Sequence, residues 1–178
     1  MDTQSHIRAS LLRARDAFER RPSAALQEDC AATAAWQGGL CMRLLHPSAP
    51  ALRTDLPGAL GGGDAHPSPG WYFRAGLASC VASGIAMGAA LQGITLARLE
   101  VEAHSESDAR GMLGTEGVPA EPLRFWLKVA IASDHASEAA LRALVESAAA
   151  RSPMTQALKT PASLEIEVDP QPRRRSVA

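Results

Sequence analysis

The sequence predicts an α+β chain in which helices lie against antiparallel strands. Four observations carry this. Residues 96–105 alternate, with Leu99, Val101 and Ala103 on one side and Glu100, Glu102 and His104 on the other. Residues 122–131 alternate likewise through Leu123, Phe125, Leu127, Val129 and Ile131; a period of two with one wet face belongs to antiparallel strands. A stretch apolar nearly all round runs from Ser68-Pro69 to Gly93, which reads as a central, buried helix. Gly38-Gly39 separates two further strand-like runs, a hairpin signal.

The elements follow in chain order. Residues 5–20 form an amphipathic helix, with Ile7, Leu11, Ala14 and Phe18 on one stripe, and Pro22 stops it. Its arginines, Arg8, Arg13, Arg15, Arg20 and Arg21, read as a solvated face rather than a surface for an anionic partner. Strands at 27–36 and 40–46 flank the glycine pair. A two-residue Gly38-Gly39 turn pairs Trp36 with Cys41 and Cys30 with Pro47, so the hairpin does not bring Cys30 and Cys41 together. Both read as small buried hydrophobes. Residues 47–70 are a proline- and glycine-rich loop with room for a short strand at Ala51–Thr54; its Gly61-Gly62-Gly63 fits no phosphate-binding pattern.

Ser68 caps and Pro69 opens the central helix, which ends at Gly93. Cys80 sits in its middle and shares a small-residue face with Phe73, Gly76, Leu77, Ser83, Gly84 and Met87. Arg74, Gln92 and the Ser, Gly and Ala content argue against a membrane span. Residues Ser107–Glu121 form a long loop. Ser137 caps a second long helix with the stripe Leu141, Leu144, Val145 and Ala148, Pro153 starts a short helical turn to about Lys159, and Leu164, Ile166 and Val168 form a last strand. Residues 170–178, with Arg173-Arg174-Arg175, read as a disordered tail.

Composition narrows the function. Lys+Arg is 18 against 19 Asp+Glu, a balance that argues against a bulk nucleic-acid binder. Aromatics are 4% while 35 residues are alanine, so the core has to come from closely packed helices and a partner subunit. Three cysteines at long spacings make neither a disulfide framework nor a metal set, and the N-terminus carries no apolar signal region; a cytoplasmic location is expected. The five histidines show no ligand spacing and no cofactor motif is present, so neither metal nor cofactor is expected.

Cys80 is the remaining nucleophile. A reactive thiol needs a stabilised thiolate. Cys80 lies eleven residues beyond Pro69, roughly 16 Å from the helix start, too far for the helix dipole to help. Arg74, six residues earlier, points about 120° away around the helix. An activating cation has to come from the hairpin, the proline-rich loop or a second subunit.

The local text Asp55-Leu56-Pro57, Leu60-Gly61-Gly62, Pro67-Ser68-Pro69 and Ala78-Ser79-Cys80, in this order between the N-terminal strands and the later hairpin, resembles the OsmC/Ohr family of osmotically inducible and organic hydroperoxide resistance proteins. The resemblance spans residues 28–169 and leaves 1–27 as an N-terminal helical extension. It implies an OsmC-like α+β fold, with curved antiparallel sheets wrapped around the two central helices of an intertwined homodimer. It also implies reduction of a hydroperoxide by a central-helix cysteine, with an arginine holding the thiolate, a glutamate orienting the arginine, a second cysteine resolving the sulfenic acid, and an external thiol regenerating the enzyme.

Cys80 takes the attacking position. The resolving position is Ser152, the glutamate position is Gly70, and the arginine position is Leu40, with Arg43 or Arg53 as substitutes. The sequence is therefore that of a divergent member. It leaves a one-cysteine hydroperoxide reductase, or a catalytically altered dimer that binds a small apolar ligand. In the second case Trp71, Phe73, Leu77 and Met87 line the pocket, with His66 at the helix start.

Overall fold

The computed structural model describes residues 2–160 and 162–170. The Asp2 carboxylate accepts the Ser5 N–H at 2.9 Å and so starts helix α1, Thr3–Arg20. No α1 residue is fully buried. The helix is tied down by Gln4, whose amide donates to the Ile94 carbonyl at 2.5 Å and accepts from the Thr95 hydroxyl at 3.3 Å. A short 3-10 turn, Pro22–Ala25, follows.

Strands β1 (Thr33–Trp36), β2 (Met42–His46) and β3 (Ala49–Thr54) form an antiparallel sheet in that order. The first hairpin corrects the expected register by one: Trp36 pairs with Met42, not Cys41. The turn is longer than the glycine pair. Gly38 and Gly39 hold φ of +108° and +54°, and the Cys41 N–H closes back onto the Gly38 carbonyl at 3.1 Å. Residues 27–32 are not strand either: the ladder with β2 begins at Thr33, opposite Leu45. Cys30 is exposed and Cys41 half-buried, which corrects their reading as buried hydrophobes.

The loop from Asp55 to Ser68 is organised by two carboxylates, of which Asp64 accepts the Gly58 N–H at 2.8 Å. Asp55 is 5% exposed and accepts the N–H groups of Leu56, Gly63 and Ala65 at 2.8, 3.0 and 3.3 Å. Gly62 passes so close to Leu56 that a Cβ there would lie 1.9 Å from the Leu56 carbonyl oxygen, which only glycine allows.

Helix α2, Pro69–Gln92, has its expected caps: the Ser68 hydroxyl accepts the Trp71 N–H at 3.2 Å, and Gly93 closes it with φ +71°. Strands β4 (Arg98–Glu106) and β5 (Arg124–Ala132) pair antiparallel along their whole length, shifted by a residue or two from the expected bounds. The loop between them carries a short helix, α3 (Ala109–Met112), and folds on itself where Gly111 meets Pro119. Helices α4 (Glu138–Arg151) and α5 (Pro153–Lys159) follow, with Ser137 and Ser152 as caps.

The core is the stripe Leu77, Val81, Ile85 and Ala89 of α2 against Leu144 and Ala148 of α4, with the inward residues of β4 and β5 around it. Each large side chain fully buried here contributes about 1.5–3 kcal/mol. Gly84 and Gly88 notch α2 where Ala148 and Leu144 enter. The expectation of a helix buried all round is corrected: Gly76, Ser79, Ser83, Ala86 and Met87 form an exposed face. That helix is also long and apolar enough to cross a membrane by length and composition, although its other face carries the core.

The expected last strand does not form in the single chain. Leu164, Ile166 and Val168 are 84%, 77% and 79% exposed and pair with nothing in either sheet. The alternation is real, but among the described residues no strand pairs with it. Residues 171–178 of the expected tail fall outside the described residues.

Asp55 sets an acid limit. The Ala65 N–H, then those of Leu56 and Gly63, and His66 nearby hold its carboxyl below the ordinary 3.8 of an aspartate, against the opposing effect of desolvation. Its stabilising effect is complete above that ordinary value and is lost as pH falls through the lowered one. Asp55→Asn is expected to remove this limb. In urea melts between pH 5 and pH 2, the midpoint of the variant should fall less steeply with acid than that of the wild type.

Candidate functional site

The site is assembled where α2 meets the junction of α4 and α5. Cys80 lies halfway along α2, at the border between its core stripe and its exposed face, and is half-buried. Ser152 ends α4 and caps α5, and it is 3% exposed. Its hydroxyl oxygen accepts the Thr155 N–H at 3.3 Å and donates its proton to Cys80 Sγ at 3.2 Å. The fold thus brings the serine at the resolving position to the thiol across 72 residues of chain. A hydroxyl there can hydrogen-bond a sulfur, and the bond strengthens if the sulfur carries charge; it cannot form a disulfide.

The arginines do not join this pair within one chain. Arg43 and Arg53 are direct cross-strand partners on β2 and β3, both exposed. Among the described residues neither makes a hydrogen bond or ion pair with Cys80. Their sheet is held by its own ladder rather than by α2. Arg74 turns away from the thiol, as its helical spacing implies, and donates to the Ser105 hydroxyl at 3.2 Å.

Two adjoining clefts lie along the outer edge of β5. The larger, about 720 Å³, runs between residues 121–127 and α5, with Leu77 and Thr155 on its walls. The smaller, about 400 Å³, holds Phe73 and Arg74. Leu77 and Phe73 are therefore cleft residues, but of two clefts, and Phe73 packs at 5.7 Å against Phe125. Trp71 and Met87 line neither cleft. Trp71 packs edge-on to Tyr72, and Met87 belongs to the exposed face of α2 two turns beyond Cys80. His66 sits in the loop beside Asp55 and helps to hold that carboxylate ionised. Within the single chain, Trp71, Phe73, Leu77, Met87 and His66 thus do not line one cleft.

Sequence reasoning missed Thr155, Phe125 and Leu158. Thr155 Oγ1 is buried without a hydrogen-bond partner, one turn beyond Ser152. Their signal in the sequence was only that of helix and strand packing, because α5 and β5 meet α2 through tertiary structure.

The family model for OsmC-like proteins matches residues 61–167, more than half of the chain. No curated protein matches. Among solved structures, an OsmC-like protein from Mycoplasma pneumoniae superposes with a TM-score of 0.65 at 18% identity, covering 76% of this chain and 90% of that one. An organic hydroperoxide resistance protein OsmC from Legionella pneumophila gives 0.58 at 21% identity, covering 76% and 92%. The organic hydroperoxide resistance protein OhrB of Bacillus subtilis gives 0.52 at 17%, covering 75% and 93%. These likenesses establish the fold.

The Ser152–Cys80 contact has a direct test. Ser152→Cys is expected to pair with Cys80 under mild oxidant, read as a loss of two titratable thiols and a Cys80-containing crosslinked peptide. Ser152→Ala should not pair, and should lower stability by about 1 kcal/mol through loss of the α5 cap. Failure of the Ser152→Cys chain to crosslink at Cys80 would contradict the placement.

Proposed function

Because this chain belongs to the family of OsmC-like proteins, we propose that it reduces organic hydroperoxides with Cys80 as the single attacking thiol. The observation that carries the reading is the buried Ser152 hydroxyl donating to Cys80 Sγ. Beside that pair, Leu77 and Thr155 line a cleft large enough for a small organic substrate.

The chemistry balances without a second protein thiol. The Cys80 thiolate attacks the terminal oxygen of the hydroperoxide and the O–O bond breaks. The departing alkoxide takes a proton and leaves as an alcohol, and the sulfur, oxidised by two electrons, becomes a sulfenic acid. An external thiol displaces water from it to form a mixed disulfide. A second external thiol then frees Cys80 and leaves as the oxidised disulfide. The three cysteines are free in the structure, which suits a reducing, cytoplasmic compartment.

The working unit in this reading is a homodimer. Three features of the single chain support it: the exposed small-residue face of α2, the exposed Trp36 and Leu52 of the first sheet, and the unpaired Leu164, Ile166 and Val168. A second chain would cover these surfaces, and its β2–β3 sheet could bring Arg43 or Arg53 to Cys80.

Two measurements test this. Brief exposure to limiting cumene hydroperoxide with dimedone present, read by peptide mass, should label Cys80 before Cys30 and Cys41, and Cys80→Ser should abolish that fast phase. Equal, slow labelling of all three would end the peroxidase reading and leave the binding of a small apolar ligand. Sedimentation should give a species of twice the chain mass. In that dimer, Ala at whichever of Arg43 or Arg53 reaches the thiol should slow Cys80 labelling about tenfold or more. A monomer, or labelling indifferent to both arginines, would remove the dimer and the arginine from the mechanism.

A further inference from the structure

Arg74 is the only arginine or lysine among the described residues that is not exposed. The arginines that carry carboxylate partners, such as Arg98, Arg124 and Arg142, have well-exposed side chains. Arg74 is half-buried and has no carboxylate within ion-pair distance among the described residues. Its protein partner is a neutral hydroxyl, Ser105. Holding a cation partly out of water with no counter-charge is costly, and an anion from outside the chain relieves that cost.

The surroundings of Arg74 are a built cleft. The guanidinium folds back over the first turn of α2, where a Cβ on Gly70 would lie 3.6 Å from its Nη1. The missing side chain at Gly70 keeps the space beside the cation open, and the helix start adds positive potential. Ser105 and Ser107 supply hydroxyls, while Phe73, Phe125, Pro122 and Leu158 supply an apolar wall. Pro122, Phe125 and Leu158 also border the larger cleft, so the two spaces are continuous.

We propose that the Arg74 cleft binds a small amphipathic carboxylic acid, its carboxylate on Arg74 and Ser105 and its apolar body against Phe73, Phe125 and Leu158. One guanidinium flanked by hydroxyls and apolar walls matches a singly charged planar head; a doubly charged phosphate asks for more donors than the cleft offers. The proposal concerns binding and does not depend on the chemistry of Cys80.

The test is calorimetric titration of the full chain with octanoate and with octanol, its neutral counterpart. Octanoate is expected to bind about tenfold or more tightly than octanol. Arg74→Gln should erase that difference by weakening octanoate alone. Gly70→Glu keeps Arg74 but places a carboxylate one helical turn before it, at a spacing that forms ion pairs. It should weaken octanoate about tenfold and lower its salt dependence, because the added carboxylate neutralises Arg74, whether or not Arg74→Gln folds well. Equal affinity for octanoate and octanol, no binding of octanoate, or octanoate affinity unmoved by Gly70→Glu would each overturn the proposal.

Discussion

The structure depends on the interlock of two helices, α2 and α4. Leu144 and Ala148 enter a notch that Gly84 and Gly88 leave on α2, and Leu77, Val81 and Ile85 close over the remaining space. Close approach of this kind compensates for the small area that each alanine buries. It also fixes the rotation of α2 about its own axis, and with it what each turn presents. The core stripe faces α4 and the β4–β5 sheet, the small-residue face points outward, and Cys80 falls on the border between the two. Because α4 is held so firmly, the residue that caps its end arrives at a defined place, and that residue is Ser152.

One oxygen then links local structure to the site. The Ser152 hydroxyl satisfies the first turn of α5 and reaches the thiol with its own proton. Cap and contact are inseparable: α5 cannot shift without moving the group that touches Cys80. The same helix carries Thr155 and Leu158 to the clefts, so the walls of the binding space and the polar neighbour of the sulfur move as one body.

Much of this was legible in the residues and some was not. The serine caps at 68, 137 and 152 and the glycine stop at 93 were readable because each is a local hydrogen-bonding device. The β4–β5 pairing was readable because one face is apolar along its length. The first hairpin was misread by one residue, since the turn type is decided by the left-handed conformations of Gly38 and Gly39 rather than by their presence. The alternation at Leu164–Val168 was correctly seen but wrongly taken as sufficient, because a strand also needs an edge to join. At the site, the order of motifs marks Cys80 and Ser152, whereas the spacing of Arg74 shows only that it points away from Cys80. Its real surroundings come from Ser105, 31 residues away, and no helical spacing could disclose them.

A sulfur whose buried polar neighbour is an alcohol cannot close a disulfide with that neighbour. In the proposed one-cysteine cycle the oxidised sulfur would wait for a thiol from solution, and its fate would become a race. Ample thiol returns it to the start, whereas ample oxidant carries it on to the sulfinic acid, from which thiols do not recover it. If Cys80 reduces hydroperoxides as proposed, a chain built this way would work as a fuse as well as a catalyst. Its surviving activity would record the ratio of oxidant to thiol that it has met, a quantity that a self-closing pair of cysteines would conceal.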